Sequence, residues 1–142
     1  MKHKNMYDEN QKELKDAENL PGYKRKSFVL PYNGGEIWFE HLDGIYNHEN
    51  LVLKKLESDI PLFSKPSSTS FICFVFDETE VTDRILAAVV NSILENTKSF
   101  MRVAFLGIDR KGKLKLKHEL SEKSFAIGFF DGLEDAKEWL LP

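Results

Sequence analysis

The chain has 142 residues, the size of a single domain. A formal net charge of −3 argues against a dedicated nucleic-acid binder, which needs a basic excess to neutralise phosphates. Hydrophobic residues at 42% and aromatics at 12% suffice for a sizeable core, and the single cysteine, Cys73, rules out a disulfide framework and suits a reducing compartment.

Residues 1–20 are almost wholly polar and are expected to form a mobile tail, with a short helix over residues 10–18. They contain no apolar signal core, and no run approaches membrane-spanning length, so the expectation is a cytoplasmic protein. The domain proper is expected over residues 21–142, opening at the punctuating "LPGY". "YKRKSFVLPY" and "EIWFEHL" read as two strands, and the "NGG" between them is a hairpin signal because Asn and Gly tolerate positive φ. "DG" at Asp43 and Gly44 ends the second strand. Val52, Leu56 and Ile60 then recur every four residues, which predicts a helix with Asn47 as its N-cap, and Pro61 and Pro66 are expected to bound a loop.

Phe71 to Phe76 is apolar throughout, as a strand buried on both faces reads. Ile85, Val89 and Ile93, flanked by Leu86, Val90 and Leu94, predict a largely covered helix. "FMRVAFLGI" is another buried strand. "KGKLKLKHEL" is ambiguous: alternation favours a strand, and the spacing of Leu116 and Leu120 favours a helix. "SFAIGFF" predicts a last strand and "DGLEDAKEWLL" a last helix, with Asp131 and Glu134 matching a capping box. The order implies an α/β domain built on a mixed, largely parallel sheet, with an N-terminal β-hairpin at its edge and helices alternating with the later strands.

Several stretches carry candidate chemistry. "GIDRKGKL" matches G-x-x-x-x-G-K, but Leu114 stands where a phosphate loop needs Ser or Thr for magnesium, and Asp109 would repel phosphate. His41 and His48 lie among Glu40, Asp43 and Glu49 without a compact metal-ligand spacing, so no metal or other cofactor is expected. The runs "YKRK" and "KGKLKLKH" read as solvated faces or edge protection, and Trp38 and Trp139 as packing aromatics. No nucleophile elbow or dinucleotide fingerprint occurs. There remains "DETEVTD". Asp77 closes a buried strand at the C-terminal edge of the sheet, where open α/β folds meet ligands and partners. Asp77 and Glu80 can cap the following helix reciprocally, whereas Thr79 and Thr82 are not needed for that cap. A phosphate on either threonine would gain amide contacts at the helix N-terminus, against repulsion from Glu78, Glu80 and Asp83.

The order of elements resembles the STAS domain, in particular its SpoIIAA-like branch, over residues 23–141. "EIWFEHLDGIYNHENL" looks like the second strand and the turn into the first helix, "FICFVFD" like the central strand ending in aspartate, and "MRVAFLGI" like the next strand. "FAIGFFDGLEDAKEWLL" is similar to the family's last strand and helix. The resemblance implies a non-enzymatic regulatory or protein-interaction module, often switched by phosphorylation at the N-terminus of the second helix. Here that place holds Asp77, Thr79, Thr82 and Asp83, the expected partner-binding or phospho-switch residues. The family's aspartate–serine pair followed by glycine is missing, and Thr82 beside Asp83 reverses its order. The expected partner is a protein docking at this edge, with a dimer open as an assembly state. Two alternatives remain: a small apolar ligand, a lipid or nucleotide, held between sheet and second helix, or a small enzyme pairing Asp77 with His41, His48 or His118.

Overall fold

A computed structural model describes residues 17–64, 70–96, 100–121 and 123–142. Helix α1 (Pro21–Lys24) leads into strands β1 (Phe28–Tyr32) and β2 (Gly35–His41). There follow α2 (Glu49–Phe63), β3 (Phe71–Val75), α3 (Asp83–Leu94), β4 (Arg102–Leu106), α4 (Arg110–Leu120), β5 (Ala126–Phe130) and α5 (Leu133–Leu140). The five strands form one sheet in the order β1-β2-β3-β4-β5. β1 runs antiparallel to β2, and every later neighbouring pair is parallel. This is the mixed, largely parallel sheet with a hairpin edge that the sequence predicts.

The hairpin turns at Asn33 and Gly34, with φ of 47° and 82°. Positive φ at both central residues is the type I′ requirement, which follows the right-handed twist of the flanking strands. Pro31 sits within β1, which is tolerated because β1 is an edge strand.

Alternation divides each strand between two cores. Trp38, Ile72, Phe74, Val103 and Phe105 face the layer of α2, α3 and α4. Ile37, Phe39, Cys73, Val75, Ala104 and Leu106 face the other side, where Ala136 and Leu140 of α5 pack. The strand order never reverses, so right-handed crossovers deliver α2, α3 and α4 to the same face. α5 follows the last strand and is free to take the opposite face. It packs on β3, β4 and β5 and so leaves part of the hairpin thinly covered.

The first core is dense. Phe74 and Phe105 stack at 5.5 Å, Phe105 and Phe129 stack at 5.5 Å, and Phe63 meets Phe74 edge-on. Ile85, Val89 and Ile93 of α3 are fully buried against this ladder, as their spacing predicts. The sheet–α3 interface, expected as a ligand pocket under one alternative, is filled here by the protein's own side chains.

Several local expectations are corrected. The boundary expected at residue 20 falls inside packed structure, because Ala17 is buried and Leu20 packs on the first core. The expected tail and its short helix otherwise lie in residues 1–16, outside the described ones. His48, not Asn47, is the N-cap of α2, and it makes no side-chain cap bond. Pro61 lies inside α2 rather than in a loop; the missing N–H falls in the last turn, on an exposed stretch where water can serve the freed carbonyl. Pro66 lies outside the described residues. The ambiguous stretch is helical, since Leu116 and Leu120 are buried together while Leu114 is 60% exposed. The Asp131–Glu134 capping box does not form: Gly132 is the N-cap of α5, and Glu134 pairs with Lys137 at 2.7 Å.

Candidate functional site

The edge expected to dock a partner is built from two loops that zip together beyond the sheet. Gly44 N donates to Asp77 O at 2.8 Å, Tyr46 N to Glu78 O at 2.9 Å, and Glu80 N to Tyr46 O at 2.8 Å. Tyr46 and Glu78 take left-handed backbone conformations, with φ of 53° and 56°. Non-glycine residues rarely adopt this region, and strain of this kind gathers at functional edges.

The threonines serve the backbone. Thr79 Oγ1 donates to Leu42 O at 2.7 Å and accepts from Ile45 N at 3.1 Å. Thr82 Oγ1 accepts from Ile85 N at 3.2 Å, so Thr82 is the N-cap of α3. This corrects the expected reciprocal cap by Asp77 and Glu80. Asp77 lies beyond β3, exposed, and Asp83 is the first residue of α3, with its carboxylate 3.5 Å from Lys115. Asp77 titrates above the ordinary aspartate range, through partial burial and then the negative charges of Asp43, Glu78 and Asp131.

The unreversed strand order provides no crevice of the doubly wound kind. Instead a cleft of about 500 Å³ opens between the first turns of α3 and α4. Residues 79–83 and Leu86 line one wall, and Gly107, Asp109, Lys111, Gly112 and Lys115 line the other. The phosphate-loop lookalike thus borders this cleft, but Asp109 occupies its mouth as the N-cap of α4, accepting from Gly112 N at 2.8 Å. The amide a phosphate would use is already taken.

A second polar assembly, not foreseen from the sequence, lies under the hairpin. Glu40 shares a strand face with Trp38, whose Nε1 donates to Glu40 Oε1 at 2.9 Å. Glu40 is fully buried, and its Oε2 receives no hydrogen bond. Its pKa is pushed up to about 9, by burial first and then by the hydrogen bond and negative charge of Asp59, with Trp38 and Lys55 acting in the opposite sense. The raised pKa favours the protonated acid, so the orphaned oxygen carries no full negative charge. Lys55 Nζ donates to His41 O at 2.5 Å, to Ser27 Oγ at 3.0 Å and to Asp59 at 3.3 Å. Ser27 Oγ in turn donates to Asp59 at 3.0 Å and accepts from His41 N at 2.9 Å.

On the opposite strand face, His41 Nδ1 lies 2.8 Å from Asp43 Oδ1, and Arg25 donates to Asp43 Oδ2. Burial favours the neutral acid at Asp43, but the His41 hydrogen bond and the charges of His41 and Arg25 outweigh it and lower its pKa. The sequence signal for both assemblies is a pair of polar residues, Glu40 and His41, that directly follow the apolar run Ile37, Trp38 and Phe39 in β2. No group of three or more metal-ligating side chains occurs among the described residues, and the expected His41–His48 neighbourhood forms none. None of the described helices is long and apolar enough to cross a membrane.

No family model matches the sequence, and no curated protein does. In structure the chain is similar to an uncharacterised protein of the DUF3478 family from Shewanella loihica PV-4, described as having a SpoIIAA-like fold. The TM-score is 0.49 at 15% sequence identity, covering 81% of this chain and 92% of that one.

Proposed function

We propose that the chain is a non-catalytic regulatory module that docks a protein partner at the edge running from Asp77 to Asp83, and that the partner presents a basic segment. The observation that carries this reading is the exposed acidic rim itself: Asp77, Glu78, Glu80 and Asp83 lie exposed along the zipped loop and at the first residue of α3, where their like charges repel. Of these, Glu80 and Asp83 also line the cleft. A cationic segment would relieve that repulsion and gain specificity and on-rate from it. Thr79 and Thr82 give the rim a fixed shape, since both hydroxyls are bonded to backbone. This favours docking over a phosphate switch at either residue, because modification would first break those bonds. The catalytic alternative needs Asp77 joined to a histidine, whereas His41 is bonded to Asp43.

The test is an amide-shift titration of the full chain with a lysine- and arginine-rich model peptide at physiological salt. The expected result is a saturable response confined to residues 77–83 and the first turn of α4. Neutralising Asp77, Glu78, Glu80 and Asp83 together should weaken binding at least about tenfold and flatten its salt dependence. Equal binding by the neutralised variant would remove this reading.

A further inference from the structure

The chain carries a basic segment of its own. Helix α4 reads RKGKLKLKHEL, with Gly112, Leu116 and Leu120 buried in the fold. Its opposite face is centred on Leu114, which is 60% exposed. Spacings of three and four residues place Arg110 and Lys111 one turn before Leu114, and Lys117 and His118 one turn after it. All four are exposed, so Leu114 is an apolar centre in a basic surround.

The acidic rim repeats this pattern with the opposite sign. Tyr46 is 53% exposed, and its backbone is bonded to those of Glu78 and Glu80. Asp77, Glu78 and Glu80 form no ion pair among the described residues, and neither do Arg110, Lys111 and Lys117. The two patches flank one cleft, and among the described residues a single ion pair bridges it within a molecule, Asp83 to Lys115 at 3.5 Å.

We infer that the basic segment taken by the rim is α4 of a second copy of this chain, an inference that rests on the docking reading above. Adjacent patches of opposite sign suit a symmetric partner. A two-fold axis through the cleft sets each rim against the α4 of the other copy, so every contact is made twice and the assembly closes as a dimer. Leu114 meets Tyr46 at the centre of each contact, with acids facing bases around them, which is the apolar core and polar margin of an interface. The net charge of −3 on each copy opposes this only weakly, because physiological salt screens it beyond about 8 Å while the facing patches touch.

Sedimentation velocity of the full chain from micromolar to millimolar concentration is expected to show a monomer–dimer equilibrium. It should weaken at least about tenfold as salt rises from about 0.05 M to about 0.5 M. Two charge reversals at exposed positions test the pairing itself. Glu78→Lys with Glu80→Lys turns the rim basic, and Lys111→Glu with Lys117→Glu turns the α4 face acidic. Each double variant sets like charges against each other in its own dimer and should be monomeric, its amide spectrum showing that it is folded. An equimolar mixture of the two sets opposite charges together at both contacts and should regain the dimer. A dimer that either reversal leaves intact, or a mixture that stays monomeric, overturns the inference. A parent chain that stays monomeric while its rim binds the lysine- and arginine-rich peptide overturns it as well, but keeps the docking reading and leaves the rim to a different basic partner. A monomer that also ignores the peptide removes both.

Discussion

Trp38 Nε1 donates to Glu40 Oε1 at 2.9 Å in the interior, and burial together with the nearby negative charge of Asp59 favours a proton on the Glu40 carboxyl. The unfolded chain releases this proton near the ordinary glutamate value of 4.5, and the fold keeps it up to about 9. The folded state therefore binds more protons than the unfolded state across that window. Stability from this group is fully present below 4.5 and is lost as pH rises towards 9, by on the order of 1 kcal/mol per pH unit. Glu40→Gln keeps the acceptor for Trp38 and offers Asp59 a permanent donor. It is expected to stabilise the protein by roughly 2 kcal/mol near pH 7.5 and to flatten that slope, as read by urea unfolding at a series of pH values. An unchanged slope would exclude a protonated Glu40 in the folded state.

Asp43 acts at the other end of the pH scale. Its folded pKa lies below the ordinary 3.8, so its contribution is present above that value and is lost as pH falls through the folded one. Asp43→Asn should cost about 1–3 kcal/mol at neutral pH, the worth of a hydrogen bond to a charged group, and should shrink the acid-side loss of stability. Thermal melts between pH 2.5 and 7 would show both effects.

Thr82→Ala removes the N-cap of α3 and should cost about 1 kcal/mol, with Thr82→Ser restoring most of it. Thr79→Val should cost more, roughly 1–3 kcal/mol, because it strips a donor from Leu42 O and an acceptor from Ile45 N. Denaturant midpoints of the variants give the ranking, and equal costs would contradict the bridging role of Thr79.

The loop carrying Asp43 depends on a backbone contact. A Cβ on Gly22 would stand 2.2 Å from Gly44 O and 2.4 Å from Asp43 O, distances that no side-chain rearrangement can relieve. Gly22→Ala should push α1 away, detach Arg25 from Asp43 and destabilise the protein by about 1–3 kcal/mol. Gly34→Ala is the contrast: nothing crowds its Cβ, and only the positive φ of 82° opposes it. A Gly22→Ala variant as stable as the parent would show that this contact is not needed.

Much of the architecture was legible because it rests on short-range pattern. A short unbroken apolar run such as 71–76, bounded by polar residues, reads as a strand covered on both faces, and Ile85, Val89 and Ile93 at four-residue spacing read as a helix face. Caps were less legible, because Asp77, Glu80 and Thr82 all carry capping side chains, and the loop joining Tyr46 to Thr79 decides among them. The assembly around Glu40 and His41 was missed for a different reason. Strand alternation places those two residues on opposite faces, but their partners Asp59, Lys55 and Arg25 arrive through a crossover and a leading helix whose positions no local pattern gives. The sequence marks residues 77–83 as one segment; the cleft beside them needs α4, whose own identity was ambiguous.

Strand order that equals chain order has a kinetic consequence. Each strand finds its partner in the segment just made before it, so no strand must be inserted between two that are already paired. The longest closures are single crossovers, which keeps contacts close in sequence for a parallel sheet. The sheet can therefore grow by accretion from the hairpin, one crossover at a time, with a single advancing edge exposed at each stage.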